Sequence, residues 1–95
     1  MTEEVWTHAT FTIKPGREDE FAELWSGLAR RARDEFGATP TLLRDRERRN
    51  VFLGFGPWPD EDTMHRFRTA GADAAAPLDE IVERADTYLC ERLFP

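Results

Sequence analysis

The chain has 95 residues and a formal net charge of −6, with 13 Lys and Arg against 19 Asp and Glu. This length suits one domain, assigned here to residues 1–95, and the acidic balance argues against nucleic acid as a partner. One Cys excludes an internal disulfide, and one Cys with two His excludes a cysteine-rich zinc site, so no metal ligands are assigned.

The first two predicted elements are a strand and a helix. Side chains of Val5–Ile13 alternate between two faces and are rich in β-branched residues, which predicts a strand. From 17 to 36, apolar residues recur at helical spacing, with Trp25 among them. Acidic residues open this segment and Gly37 closes it, as expected for the two ends of a helix.

Two strands are predicted in the middle of the chain. Residues 41–46 form the weaker one because several of them are charged, and residues 45–50 form a hairpin loop. Residues 50–56 form a strand that is apolar on both faces. Its glycines, Gly54 and Gly56, are expected to leave space for a pocket. We expect Pro57-Trp58-Pro59 to end this strand.

The last third of the chain predicts two helices and a strand. A second acidic start at 60–62 precedes a helix whose inner side includes Met64 and Phe67. Residues 72–76 either continue this helix or form a loop. A short helix is predicted over 77–85 and a final strand over 87–94.

The order of these elements predicts the fold. A β-α-β-β-α-β chain gives a ferredoxin-like α+β sandwich with a four-stranded antiparallel sheet. Helices would cover one face of the sheet, yet the strands carry apolar side chains on both faces. Because the chain has no further element to cover the second face, we predict a homodimer in which two sheets pack into one barrel.

The sequence predicts a cytoplasmic protein without a membrane partner. Its longest uncharged runs reach about half of a spanning helix, and Met1-Thr2-Glu3-Glu4 lacks the basic, apolar pattern of a signal peptide. Cys90 is expected to be a buried packing residue, and a free thiol fits a reducing compartment.

Three segments carry a family resemblance. They are VWTHATFTIKPGREDEFAELW at 5–25, LLRD at 42–45 and FLGFGPWPDEDTMHRFR at 52–68. The chain resembles the antibiotic biosynthesis monooxygenase (ABM) domain family of dimeric α/β barrel proteins, from about residue 5 to residue 93. The resemblance implies the same fold and a dimeric barrel. Some relatives oxidise phenolic polycyclic substrates or quinols with neither metal nor flavin.

The resemblance also implies where a site would lie. Oxidising relatives have a Trp at the end of the third strand that lines a pocket between sheet and helices, and Trp58 matches it. Haem-degrading relatives use an Asn on the first strand and a His on the later helix. Here the only Asn is Asn50, and Phe67 or a neighbour stands where many relatives have that His.

Few residues are candidates for catalysis or binding. His8 and His65 are the candidate bases, because His titrates near neutral pH. Either could instead be structural, His8 in an interface and His65 on the surface. The candidate substrate-binding residues are Trp6, Trp25, Phe52, Trp58, Phe67 and Arg68.

These residues and the resemblance together predict a monooxygenase without a cofactor. Its substrate would be an aromatic phenol, quinol or polyketide-like small molecule. The alternatives are a non-catalytic homodimer of the same fold, which binds a small molecule or has a structural role, and a haem-binding or haem-degrading relative.

Overall fold

A computed structural model describes residues 3–95. Met1 and Thr2, which contributed to the expectation about a signal peptide, lie outside the described residues. The elements in chain order are β1 (Val5–Ile13), α1 (Glu18–Phe36), β2 (Thr41–Arg44), β3 (Val51–Trp58), α2 (Glu61–Ala70), α3 (Ala72–Ala75), α4 (Leu78–Ile81) and β4 (Val82–Cys90).

The four strands form one antiparallel sheet in the order β2-β3-β1-β4. Strand β1 is central and pairs along nearly its whole length with β3 on one side and β4 on the other. The helices pack on a single face of this sheet, so the predicted ferredoxin-like α+β sandwich is confirmed. None of the helices in residues 3–95 is both long and apolar enough to cross a membrane.

The core lies between α1 and the sheet. Phe21 of α1 is fully buried, and its ring centroid lies 5.1 Å from that of Phe11 on β1 and 5.0 Å from that of Phe52 on β3. A second buried cluster joins Trp58 to Met64 of α2. We call the face of the sheet that carries Phe11, Phe52 and Trp58 the helix face.

The ends of the two long helices agree with the sequence. Gly37 adopts the left-handed conformation after α1, with φ 72°, and its N–H donates to the carbonyl of Ala32. At the start of α2, the Asp60 carboxylate accepts the N–H of Thr63 at 2.7 Å. Hydrogen bonds from the Thr63 side chain and N–H hold the pKa of Asp60 below its ordinary value.

Strand β2 is shorter than predicted, because a tight turn follows Arg44. The Asp45 carboxylate accepts the backbone N–H groups of Glu47 and Arg48, each at 2.8 Å. These bonds, the one from Arg48 first, lower the pKa of Asp45 to about 2. A side chain that binds its own backbone in this way competes with continued strand pairing.

Strand β3 is longer than predicted and includes Pro57 and Trp58. The Pro57 carbonyl accepts the N–H of Thr39 at 3.1 Å, and Thr39 precedes β2. In a strand, the backbone N–H and C=O of one residue point toward the same neighbouring strand. The Pro57 carbonyl points away from β1, so a backbone N–H at this position would also point away from β1. The proline therefore interrupts no bond between β3 and β1.

The short helix and the final strand predicted at the end of the chain are present, but their predicted bounds were wrong. Helix α4 stops at Ile81, and β4 starts at Val82, where Val82 pairs with Ile13 and the Lys14 N–H donates to the Ile81 carbonyl at 3.0 Å. Residues at the end of the chain that have the apolar spacing of a helix thus form a strand instead, because they pair with β1. Leu93 and Phe94, expected in the strand, lie beyond it and are 89% and 86% exposed.

The second face of the sheet is not covered by any helix that the structure describes. We call it the outer face, and the strand register places on it Trp6, His8, Leu43, Leu53, Phe55, Tyr88 and Cys90. Leu43 is 50% exposed and Tyr88 is 55% exposed. Cys90 is also exposed, so the expectation that it is buried was wrong. The predicted apolar second face is therefore present.

Candidate functional site

A cavity of about 290 Å³ lies between the helix face and the helices. Strands β1 and β3 supply its floor, helix α1 supplies the opposite wall, and α2, α4 and β4 close the sides. Most lining residues are apolar or small. The lining includes Thr7, Ala9, Trp25, Ala29, Gly54, Trp58, Phe67, Arg68 and Thr87. Its size is at the lower end for small-molecule sites.

The Trp25 ring packs closely on β3 because Gly54 has no side chain. A Cβ atom added to Gly54 would lie 2.8 Å from Cζ2 of Trp25, closer than real Cβ contacts allow. Gly56 has a different role: an added Cβ there would collide with the backbone of Thr39 and Pro40. Both glycines line the cavity, as expected. Each also admits a close neighbour, an indole ring at Gly54 and a chain segment at Gly56.

Trp58, the last residue of β3, also lines the cavity and is held in place by several contacts. Its Nε1–H donates to Oγ1 of Thr7 at 3.0 Å. Its ring centroid lies 5.2 Å from that of Phe67, whose ring meets Phe36 edge-on at 5.3 Å. The hydrogen bond and these ring contacts give the cavity a rigid aromatic wall.

Arg68 supplies the only charge among the described residues that line the cavity. It lies in the last turn of α2, is exposed, and has no ion-pair partner in residues 3–95. Many other arginines are paired, for example Arg31 with Glu35 at 3.2 Å and Arg48 with Asp45 at 2.9 Å. The Arg68 guanidinium is therefore available to an anionic group at the edge of the cavity.

Four of the predicted site residues line this one cavity, namely Trp25, Trp58, Phe67 and Arg68. Phe52 lies beside it in the core, where it packs on Phe21 and is 3% exposed.

Two predicted residues lie on the outer face, on the opposite side of the sheet from the cavity. Trp6 donates its Nε1–H to Oε1 of Glu4 at 3.0 Å. His8 has its ring 6.1 Å from that of Tyr88. The structure does not bring either of them to the cavity.

His65 is also separate from the cavity. It lies on the exposed side of α2, where Nε2 is 3.2 Å from Oε2 of Glu61. Neither candidate base therefore reaches the cavity. Within residues 3–95 there is also no group of three or more His, Cys, Asp or Glu arranged as metal ligands.

Sequence reasoning missed the two threonines of the cavity. Thr7 shares a face of β1 with Phe11, so alternation alone could have placed it beside the core. Thr87 pairs with Ala9 in the β4 register, which differs from the predicted position of that strand. No sequence signal pointed to Thr87.

A second cavity, of about 270 Å³, also borders Trp25. Trp25, Ala29 and Pro40 line both cavities, and Arg30 and Arg33 lie along the second one. Trp25 therefore borders two cavities, a mostly apolar one and one that has Arg30 and Arg33 along it.

Comparison with known proteins identifies the fold. No family model matches the chain, and no curated protein is significantly similar to it. Among solved structures, a variant of SnoaB from Streptomyces nogalater, described as a cofactor-independent oxygenase, is similar with a TM-score of 0.88 and 23% identity, over 99% of this chain and 97% of that one. The chain has the fold of SnoaB.

Two further structures support this assignment. PA3566 from Pseudomonas aeruginosa is similar with a TM-score of 0.86 and 20% identity, over 99% and 98% of the two chains. A Nitrosomonas europaea protein, named "putative antibiotic biosynthesis monooxygenase", gives a TM-score of 0.87 and 11% identity, over 100% and 95%. Similarity at these identities is similarity of fold, as the resemblance to the ABM domain family implied.

Proposed function

We propose that the protein is a cofactor-independent monooxygenase of a flat, ionisable aromatic molecule such as a phenol, a hydroquinone or an anthrone. The observation that carries this proposal is the cavity itself, with apolar and aromatic walls and one unpaired guanidinium, Arg68, at its edge. The shared fold with SnoaB supports oxygenase chemistry as the reaction class.

The proposed reaction begins with the anionic form of the substrate. A nearby positive charge lowers the pKa of a phenol or an enol, so Arg68 favours binding of the anion. Because neither His8 nor His65 lines the cavity, no histidine accepts the substrate proton in this reaction. The substrate loses its proton to solvent before or during binding.

The bound anion then reduces O₂ directly. One electron passes to O₂, and the resulting substrate radical and superoxide combine to form a substrate hydroperoxide anion. After protonation, this intermediate loses water and leaves a carbonyl group, so one oxygen atom enters the product and the other leaves as water. The cavity contributes by holding the substrate and by keeping water away from the radical pair.

Oxygen uptake tests this proposal. With anthrone, or with a phenol whose para position carries hydrogen, the purified protein should consume one O₂ and release one water per quinone formed, at a rate that rises with pH as the substrate ionises. Arg68→Gln should move that rise to higher pH by about one unit, and Arg68→Lys should restore it. The absence of uptake above the uncatalysed rate with a panel of such compounds would contradict the proposal.

Arg66→Gln provides the matched control for the Arg68 variants. Arg66 lies two residues away on the same helix, donates to Oγ1 of Thr63 at 3.0 Å, and does not line the cavity. This change removes the same charge from the helix without changing the cavity. Its pH profile should match that of the unmodified protein, and an equal shift in both variants would show that the effect is not specific to Arg68.

A binding protein without turnover is the second candidate. The observation that favours it is that Arg68 is the only ionisable side chain among the described residues that line the cavity. Binding of anthrone in the absence of O₂, followed by no oxidation when O₂ is admitted, would select this candidate. Haem binding or degradation is disfavoured, because no described residue that lines the cavity is a histidine. A Soret band during haem titration would support this alternative.

We also propose that the working form is a homodimer that joins two outer faces. Exposed apolar side chains such as Leu43 and Tyr88 form a patch that a second copy would cover, and packed sheets approach each other at about 10 Å. A monomer at all concentrations in sedimentation would contradict this. The exposed, unpaired Cys90 suits the reducing cytoplasm that we propose as its compartment.

A further inference from the structure

The three tryptophans differ in what their indole N–H groups contact. The Trp6 Nε1–H donates to Glu4, and the Trp58 Nε1–H donates to Thr7, each at 3.0 Å. The Trp25 Nε1–H has no acceptor among residues 3–95. The cavity therefore contains two indoles, one with its donor occupied and one with its donor free.

The free donor is accessible to solvent, and the indole that carries it lines the cavity. No buried side-chain nitrogen or oxygen among the described residues lacks a partner, so solvent must reach Nε1 of Trp25. A Cβ atom on Gly54 would lie 3.1 Å from this nitrogen, which places it directly over the backbone of β3. Both Trp25 and Gly54 line the cavity.

A ligand that covers this nitrogen must replace its water. If the ligand presents only carbon, the N–H loses a hydrogen bond, which opposes binding. If the ligand presents an acceptor oxygen, the bond is replaced in a water-poor space. Besides the two indoles, the only polar side chains that the described residues bring to this cavity are those of Thr7, Thr87 and Arg68, and the Thr7 hydroxyl already accepts from Trp58.

We propose that Trp25 is the residue that selects and positions the ligand, by donating its Nε1–H to a carbonyl or phenolate oxygen. This inference rests on the proposed aromatic ligand and adds the group that is recognised and the residue that recognises it. Gly54 is required for this position of the Trp25 indole, because any larger residue would push the indole away from β3. The Trp58 N–H, held by Thr7, has no such role.

Two ligands that differ in one carbonyl test the proposal. Anthrone carries the carbonyl, and 9,10-dihydroanthracene has the same three rings without it. Their dissociation constants are measured by calorimetry in the absence of O₂, so that no turnover occurs. We expect the protein to bind anthrone about tenfold more tightly than the hydrocarbon, which corresponds to one net hydrogen bond.

Three substitutions test which residue causes that preference. Trp25→Phe keeps an aromatic ring but removes the donor, so the ratio of the two constants should fall to about one. Trp58→Phe removes an N–H that is already occupied, so both affinities should change by the same factor and the ratio should persist. Gly54→Ala moves the Trp25 indole without removing it, so it should also lower the ratio. Circular dichroism checks that each variant folds.

The outcomes separate this inference from the proposed function. If the unmodified protein binds neither compound, the aromatic ligand is wrong and the role of Trp25 is overturned with it. If it binds both, but the preference for anthrone is absent or survives in Trp25→Phe, only the assignment to Trp25 is overturned. Loss of the preference in Trp58→Phe rather than Trp25→Phe would transfer the role to Trp58.

Discussion

The two faces of the sheet are built from the same four strands, yet they have different surroundings. On the helix face, Phe11 and Phe52 pack on the buried ring of Phe21, and glycines allow other groups to approach closely. On the outer face, Leu43 and Tyr88 remain half exposed. One residue step along a strand moves a side chain from one environment to the other.

This difference decides which residues can share a site. His8 and Ala9 are adjacent in sequence, but only Ala9 lines the cavity. The outer face suits association and the helix face suits ligand binding, so substitutions on the two faces should affect different measurements.

Replacement of the central core side chain should have the largest effect on stability. Phe21→Ala removes a fully buried ring between α1 and the sheet and should lower the free energy of unfolding by about 3–5 kcal/mol. Urea unfolding at a fixed protein concentration measures this loss. Leu43→Ala on the outer face, unfolded at a concentration low enough for the protein to be monomeric, is the comparison and should cost about 1 kcal/mol or less. Equal losses would mean that the two faces are equally buried.

A charge on the outer face should separate subunits without unfolding them. Leu43→Glu would place an unpaired carboxylate between two packed sheets and should weaken dimerisation about 100-fold. Sedimentation over a range of concentrations measures the dissociation constant. Ala76→Glu adds the same charge on an exposed site away from the sheet and should leave it unchanged. If both variants dissociate equally, net charge rather than the outer face is responsible.

Much of the fold could be predicted from sequence because its periods are clear. The alternation of Val5–Ile13 and the helical spacing that begins near Glu18 gave β1 and α1 nearly to the residue. The end of the chain could not be predicted in this way, because Leu78, Ile81 and Val82 also fit helical spacing. Only the pairing of Val82 with Ile13 makes it a strand residue.

The site was harder to predict than the fold. Trp25 was recognised from helical spacing and Trp58 from a resemblance, and both line the cavity. Alternation sorted the side chains of β1 into two groups but did not say which group the helices cover, so His8 remained a candidate. The Trp25 donor is free because no acceptor lies near it, which is decided by how α1 packs on the sheet and cannot be read from local sequence.

Substitution of Gly54 should disturb the cavity more than its size suggests. The Cβ of Gly54→Ala would lie 2.8 Å from the Trp25 ring, so the ring must move, at a cost of about 1–3 kcal/mol in unfolding free energy. Near-ultraviolet circular dichroism should report the altered ring environment. The matched control is Gly27→Ala on α1, where the nearest atom would be 3.9 Å away. Gly27→Ala should raise the free energy of unfolding by about 0.5–1 kcal/mol, because alanine favours a helix more than glycine does.

Removal of the acceptor for Trp58 should have the smallest effect, and it tests how the aromatic wall is held. Thr7→Val keeps the shape of the side chain but removes the oxygen that accepts the Trp58 Nε1–H at 3.0 Å. The net loss should be about 1 kcal/mol in unfolding free energy. Thr7→Ser retains the hydroxyl and should recover most of it.

A double-mutant cycle with Trp58→Phe completes this test, because Thr7→Val should cost much less once the donor is gone. An unchanged cost in that background would mean that Thr7 contributes through packing alone. In Thr7→Val the Trp58 N–H becomes free, so the cavity would then hold two unpaired donors. The preference for a carbonyl ligand should persist or increase in this variant. A lost preference would mean that the Thr7 hydroxyl, rather than Trp25, contacts the ligand.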